Sequence, residues 1–413
     1  MIYQGLIGFL AIPLLAFAIS ENRGAVRPRL ILAGLFLQVA VALILLRLPT
    51  VRAGFIELNK VVIALQDATI AGTSFVFGYI GGSPPPFAET GPGSAFIFAF
   101  QAMPLILVIS ALSALLFYWR VLPLLVRGAA RLLEKSLQLG GAVGVSAAAN
   151  IFMGMIESPL LVRPYLAKLS RSELFMVMTC GMATIAGTMM VLYASILGRL
   201  LPDALGHLLT ASIINLPAAI TISRLMVPDQ GQPTPGDIAL ARKDKSAIDA
   251  IVRGTVEGVE LLINILALLV VLVALVALAN KVLGAIPAID GVTLTLQGIL
   301  GFLLSPLAWV MGIPWAESQA AGSLLGTKLV LTELVAYVDM AKFGAENLSH
   351  RSQIIMTYAL CGFANFASLG ILIGGMGAMV PERREDIVNL GIKSVAAGTL
   401  ATCLTGAVIG MIL

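Results

Sequence analysis

The chain has 413 residues, 59% of them hydrophobic and 12% charged, with a mean hydropathy of +0.98 and a formal net charge of +4. Soluble domains carry about 25% charged residues, so half that share excludes a soluble globular fold, and a charge of +4 offers no basic patch for nucleic acid. Three cysteines (Cys180, Cys361, Cys403) in apolar surroundings without CxxC spacing, and only two histidines (His207, His350), leave no disulfide framework or metal cluster to expect.

The first apolar run, residues 2–20, lacks a basic start and a cleavage site and reads as a retained span rather than a signal peptide. A second span follows at 29–47. Residues 52–72 (RAGFIELNKVVIALQDATIAG) are amphipathic and are expected to lie along the membrane interface. Residues 80–93 (IGGSPPPFAETGPG) read as a loop and 96–119 as the third span. In 120–137 Arg is interspersed with Leu at helical spacing, which again reads as interfacial. Residues 141–166 are too interrupted by Gly, Pro and polar side chains to be a clean span. Spans at 173–197 and 203–225, a polar connection at 227–248 and a span at 259–281 come next. A second interrupted stretch, 296–340, precedes the last two of eight spans, 350–375 and 388–412. Runs such as Leu261–Leu278 lack the period-two alternation of membrane strands, so the fold class is an all-α polytopic membrane protein.

Basic residues set the orientation. With the 20–29 loop in the cytoplasm, 18 of the 26 Lys and Arg residues fall inside and 7 outside, which places both termini outside. The count holds only if each interrupted stretch enters and leaves on one side. Both are therefore expected to be re-entrant hairpins, the first from inside and the second from outside. Each hairpin is followed by two spans, so the two units form an inverted repeat, a recurring transporter design with its site between the units.

The polar residues fall where this design needs them. The first hairpin carries Asn150, Gly154 and Glu157 ahead of Pro159, and a carboxylate at membrane depth is a functional candidate by default. The second carries Glu333 within GTKLVLTELVAY. The spans after them contain the break-prone runs GMATIAGT (181–188) and CGFANFASLGILIGGMG (361–377). Unwound backbone frees carbonyls that suit a hard cation such as Na⁺, together with oxygens from Asn150 and Thr184. Asn365 and Ser368, three apart, share a helix face and suit ligand hydroxyls. Plainer readings stand beside these. Gly-rich spans serve as packing surfaces, Asn forms interhelical hydrogen bonds, and Glu333 pairs structurally with Lys328 five residues earlier. Glu257 and Glu260 near Arg253 read as a cap or interfacial pair.

The segments SAFIFAFQAMPLILVISALSALLFY (94–118), SAAANIFMGMIESPLLVRPYL (146–166), SRSELFMVMTCGMATIAGTMM (170–190), GTKLVLTELVAY (326–337) and CGFANFASLGILIGGMGAMVPERR (361–384) resemble concentrative nucleoside transporters in order and spacing. The resemblance implies a bacterial inner-membrane symporter, not an enzyme, working as a homotrimer by an elevator mechanism. It implies scaffold in 1–119, an interfacial helix and the first transport repeat in 120–225, a cytoplasmic loop and scaffold span in 226–295, and the second transport repeat in 296–413. It places Glu333, Asn365 and Ser368 on the ribose, Phe363 against the nucleoside, and Gly154, Met155, Ile156 and Glu157 at the base. The Na⁺ site would use Asn150, Thr184 and carbonyls near Met153 and Ile185. The family tip usually reads Gly-Gln-Thr-Glu; here Met155 and Ile156 cannot supply hydrogen bonds to a base edge. Altered base selectivity is therefore expected. Some bacterial relatives use protons, so H⁺ coupling, or transport of a nucleobase or modified nucleoside, stands as the alternative to Na⁺-coupled nucleoside import.

Overall fold

Long uncharged runs cannot leave backbone N–H and C=O groups unpaired in lipid, and helices satisfy those groups within each segment. The computed structural model describes residues 2–87, 95–198, 200–229, 234, 244–286 and 294–413, and all regular structure among them is helical. Part of the loop expected at 80–93 and most of the connection expected at 227–248 lie outside the described residues.

The first part of the chain gives α1 (Ile2–Ala18), α2 (Pro28–Arg47), α3 (Pro49–Phe77), α4 (Phe98–Gln101), α5 (Leu105–Tyr118) and α6 (Val121–Leu137). The first hairpin is α7 (Gly141–Ala149), α8 (Glu157–Leu161) and α9 (Arg163–Leu166). It leads to α10 (Arg171–Ala183), α11 (Gly187–Leu197) and α12 (Ala204–Met226). After α13 (Ala247–Gly284) come α14 (Leu296–Val310), α15 (Trp315–Val330) and α16 (Glu333–Asn347). The chain ends in α17 (His350–Leu360), α18 (Phe366–Met379) and α19 (Arg384–Ile412).

Among the described residues seven helices are long and apolar enough to cross a membrane, or eight if the α14–α15 pair, bent by 118°, counts as one span. Two of the expected stretches take a more specific form in the structure. Residues 52–72 lie within one unbroken helix, α3, whose Lys60–Gly81 part also has a span's length, with a mean hydropathy of 1.5. Its charges sit early, where Lys60 pairs with Glu57 at 2.7 Å, and only Asp67 interrupts the rest. Residues 350–375 form the broken span expected there, as α17 and α18 parted at Cys361–Asn365. The amphipathic reading of 120–137 agrees with α6, whose Leu122, Val126, Ala130, Leu133 and Leu137 are buried at helical spacing while Arg127 and Arg131 face out.

The second interrupted stretch turns twice. Gly312, at φ +98°, makes the α14–α15 elbow in a region favourable to glycine, and Arg351 Nη1 donates to its carbonyl at 2.6 Å. The second turn, Leu331–Thr332, is the tip between α15 and α16.

Burial sorts the helices into two groups. In the most apolar windows of α10–α11, α12 and α19, 83%, 83% and 78% of residues are buried, against 6% for α13. The first group forms the core. The second, with α1, α2 and α3, exposes apolar surface that suits lipid or a partner. Within the core one order of pieces occurs twice: hairpin, broken helix, long helix, as α7–α9, α10/α11, α12 and as α15–α16, α17/α18, α19. Local caps define each piece. Ser170 and Glu173 make a reciprocal capping box on α10, and Thr332, Ser349 and Asn365 cap α16, α17 and α18.

Candidate functional site

The two breaks lie against each other. After Ala183 the chain extends through Thr184 (φ −118°, ψ 172°), whose Oγ1 donates back to Cys180 O at 2.8 Å. After Leu360 the chain extends to Asn365. Phe363 N donates to Thr184 O at 3.2 Å, so backbone freed in one break is satisfied by the other. Asn215 of α12 completes the junction. Its Nδ2 donates to Ala183 O at 2.8 Å and to Cys361 O at 2.7 Å.

The first tip seats on both broken helices. Gly187 N donates to Phe152 O at 3.1 Å. The Met155 side chain lies on Gly181, where a β-carbon would come within 2.9 Å of Met155 Cβ. Ile156 lies on Gly375, where a β-carbon would come within 2.5 Å of Ile156 Cδ1. Glycine at both positions gives the tip its place.

A cavity of about 270 Å³ opens between these parts and the scaffold helices α5 and α13. The core side contributes Met153, Gly154, Met155, Ile156 and Glu157 from the first tip, Thr332 and Glu333 from the second, and Phe363 and Ser368 from the second break. The scaffold side contributes Ser110, Phe117, Arg253, Glu257 and Leu261. Glu257 pairs with Arg253 at 2.7 Å, in line with the pairing read from sequence. Of the residues expected on substrate, all except Asn365 line this cavity. Asn150, Thr184 and Ile185, expected on the ion, are buried behind it.

Glu333 is buried, with both carboxylate oxygens engaged. Tyr193 OH donates to Oε1 at 2.6 Å and Asn365 Nδ2 to Oε2 at 2.8 Å. Each oxygen accepts one hydrogen bond and retains capacity for a ligand donor. Asn365 and Ser368 do not share a helix face as their spacing implied. Asn365 precedes the helix and caps it, its Oδ1 accepting from Ser368 N at 2.7 Å. Nor does Lys328 pair with Glu333. Its Nζ donates to Ala359 O and to Thr402 Oγ1, both at 2.9 Å, and among the described residues no ion pair links it to a carboxylate.

On the ion side, Asn150 Nδ2 donates to Ser146 O at 3.1 Å, while its fully buried Oδ1 has no protein donor. An orphaned buried oxygen beside a helix break fits a small cation's needs. Sequence reasoning missed Tyr193 and Asn215. The only signal for either was a lone polar side chain in an apolar run, which says nothing of what it meets.

Comparison with known proteins agrees with this architecture. Models described as the Na⁺ dependent nucleoside transporter N-terminus and C-terminus match residues 7–80 and 207–410, and one described as nucleoside recognition matches 99–200. The chain is 38% identical to the Bacillus subtilis transporter YutK over 98% of both chains. It is 34% identical to the nucleoside permease NupC of Helicobacter pylori over 100% of this chain and 98% of that one. It superimposes on CNTnw in an inward-facing substrate-bound state with a TM-score of 0.91 at 36% identity, covering 99% of this chain and 98% of that one. Outward-facing and intermediate states of CNTnw variants match with TM-scores of 0.89 to 0.91. Matched along nearly its whole length and at more than 30% identity, the chain belongs to the family of concentrative nucleoside transporters.

Proposed function

We propose that the protein imports nucleosides across a bacterial inner membrane by symport with Na⁺. The observation that carries this reading is Glu333, a buried carboxylate held by Tyr193 and Asn365 and lining a cavity that the first tip also lines. Its free acceptor capacity suits vicinal ribose hydroxyls, with Ser368 beside it and Phe363 against the nucleoside. Gly154, Met155, Ile156 and Glu157 meet the base. With Met155 and Ile156 seated on glycines, Glu157 supplies the polar contact at the tip and the rest is apolar.

Na⁺ is bound by Asn150, Thr184 and the carbonyls near Met153 and Ile185. The ion draws the first tip and the first break together, which shapes the base side and raises nucleoside affinity. By linkage, nucleoside raises Na⁺ affinity by the same factor. The relatives named sodium/nucleoside cotransporters support this coupling, among them the rabbit protein at 31% identity over 97% of this chain. The exposed faces of α1, α2, α3 and α13 suit the trimer-forming scaffold, against which the core unit moves as an elevator. The distribution of basic residues favours both termini outside.

Uptake of labelled uridine into proteoliposomes tests the reading. An inward Na⁺ gradient is expected to drive accumulation. Uptake indifferent to Na⁺ that collapses with the pH gradient moves the assignment to H⁺ coupling. Glu333→Gln is expected to lower riboside uptake about 10- to 100-fold, the worth of a hydrogen bond to a charged acceptor. Full uptake by that variant refutes the ribose assignment. Competition by a panel of bases and nucleosides separates nucleosides from the alternative solutes.

A further inference from the structure

The last four carbonyls of a helix lack intrahelical donors, and at the end of α17 each finds another. Thr357 O accepts the Tyr337 hydroxyl at 2.8 Å, Tyr358 O accepts Cys361 N at 3.2 Å and Leu360 O accepts Gly362 N at 2.8 Å. Ala359 O would meet Phe363 N in a continuous helix, but that N–H is turned to Thr184 O. Its donor is instead the Lys328 ammonium, which also donates to Thr402 Oγ1. Lys328 is 1% exposed. Among the described residues no carboxylate makes ion-pair contact with it, and a buried cation so placed is costly and rare, and so marks a place where the charge has a use.

The first break ends differently. Cys180 O accepts from Thr184 Oγ1 and Ala183 O from Asn215, but among the described residues no donor stands against Gly181 O or Met182 O. Asn150 Oδ1, closing the neighbouring hairpin arm, is also without one. The corresponding pieces of the two repeats therefore present opposite needs. In the first, the end of a hairpin arm and the end of a half-helix leave oxygens for a cation. In the second, the last turn of the hairpin arm α15 itself delivers an ammonium to the half-helix end.

We propose that Lys328 is a tethered cation, the second repeat's fixed counterpart of the mobile ion in the first. It is a positioning residue. Its charge fixes the α17 end, hence the turn to Asn365, and through Asn365 the Glu333 carboxylate. The second repeat then needs no mobile ion of its own. The effect on nucleoside rests on the reading of Glu333 and the first break given above.

The test uses purified full-length Lys328→Ala, which leaves room for a small cation, and Lys328→Met, which fills that room without charge. Uridine binding is measured in saturating Na⁺ with added ammonium, methylammonium or, as a control too large for the space, N-methylglucamine. Lys328→Ala is expected to bind about 10- to 100-fold more weakly than wild type. Ammonium is expected to restore most of that loss, and N-methylglucamine none. Lys328→Met is expected to stay weak under all three. Without nucleoside, ammonium is expected to raise the melting temperature of Lys328→Ala alone. This second readout separates the two ideas, since wild-type protein that binds no uridine fails the functional reading only. A folded Lys328→Ala protein that behaves as wild type, or whose deficit neither ammonium nor methylammonium relieves, overturns the proposal. If Lys328→Ala cannot be purified, Thr402→Val carries the test, because it removes one acceptor and keeps the charge. Binding within about threefold of wild type is then expected, and a loss of about tenfold or more in folded protein overturns it.

Discussion

Asn215 is the side chain whose removal tests how the two breaks are held. Its Nδ2 spans Ala183 O and Cys361 O at 2.8 and 2.7 Å, in a site closed to water. Asn215→Leu keeps an extended side chain of similar reach and removes both donors. A buried acceptor left without a donor costs about 1–3 kcal/mol. Two such carbonyls give about 2–6 kcal/mol, and relaxation of flexible break backbone places the expectation near the lower half, about 2–4 kcal/mol. The side chain's own Oδ1 has no partner, so an apolar replacement sacrifices nothing on that side. Asn215→Asp is the harsher change, since it sets a carboxylate oxygen against two carbonyls. Thermal unfolding in detergent, read alongside uridine binding, is expected to rank wild type above Leu and Leu above Asp. Binding falls with stability because Phe363 and Asn365 belong to the second break. An Asn215→Leu protein that melts and binds as wild type would show that the breaks hold their geometry without this bridge, and the reasoning fails.

Two further outcomes follow from other parts of the molecule. Met155→Gln with Ile156→Thr installs the hydrogen-bonding groups usual in the family, and base discrimination is expected to change by about 0.5–1.5 kcal/mol per bond gained; an unchanged competition profile across bases would mean the tip does not read the base. Glu21, between α1 and α2, is held below the usual carboxylate range by the Arg171 hydrogen bond at 3.0 Å, with Lys393 also donating. A lowered pKa contributes stability above the unfolded value, about 4.3, that is lost as pH falls through the folded one. Glu21→Gln is therefore expected to lower the melting temperature slightly at pH 7, by the equivalent of about 0.5 kcal/mol for so exposed a pair, with the difference lost as pH falls through the lowered folded pKa. A difference that persists in acid assigns the effect to packing.

Hydropathy by itself determined the membrane class, most span positions and the repeated order of hairpin, broken span and long span, because lipid constrains every residue of a segment alike. It also located the two breaks, since Gly, Asn and Pro stand out against uniformly apolar surroundings. It bounded 52–72 too narrowly, because the amphipathic segment continues as one helix, α3, to Phe77. The substrate-facing residues were legible as acids and glycines out of place. Their relations were not. That Tyr193 and Asn365 take one oxygen each of Glu333, that Asn215 joins Ala183, 32 residues before it, to Cys361, 146 residues after it, and that Lys328 turns from the nearby Glu333 to a helix end are long-range facts. Spacing along a chain encodes which face of one helix a residue occupies; which donor meets which acceptor is decided only when the two repeats pack and each freed carbonyl must find its partner.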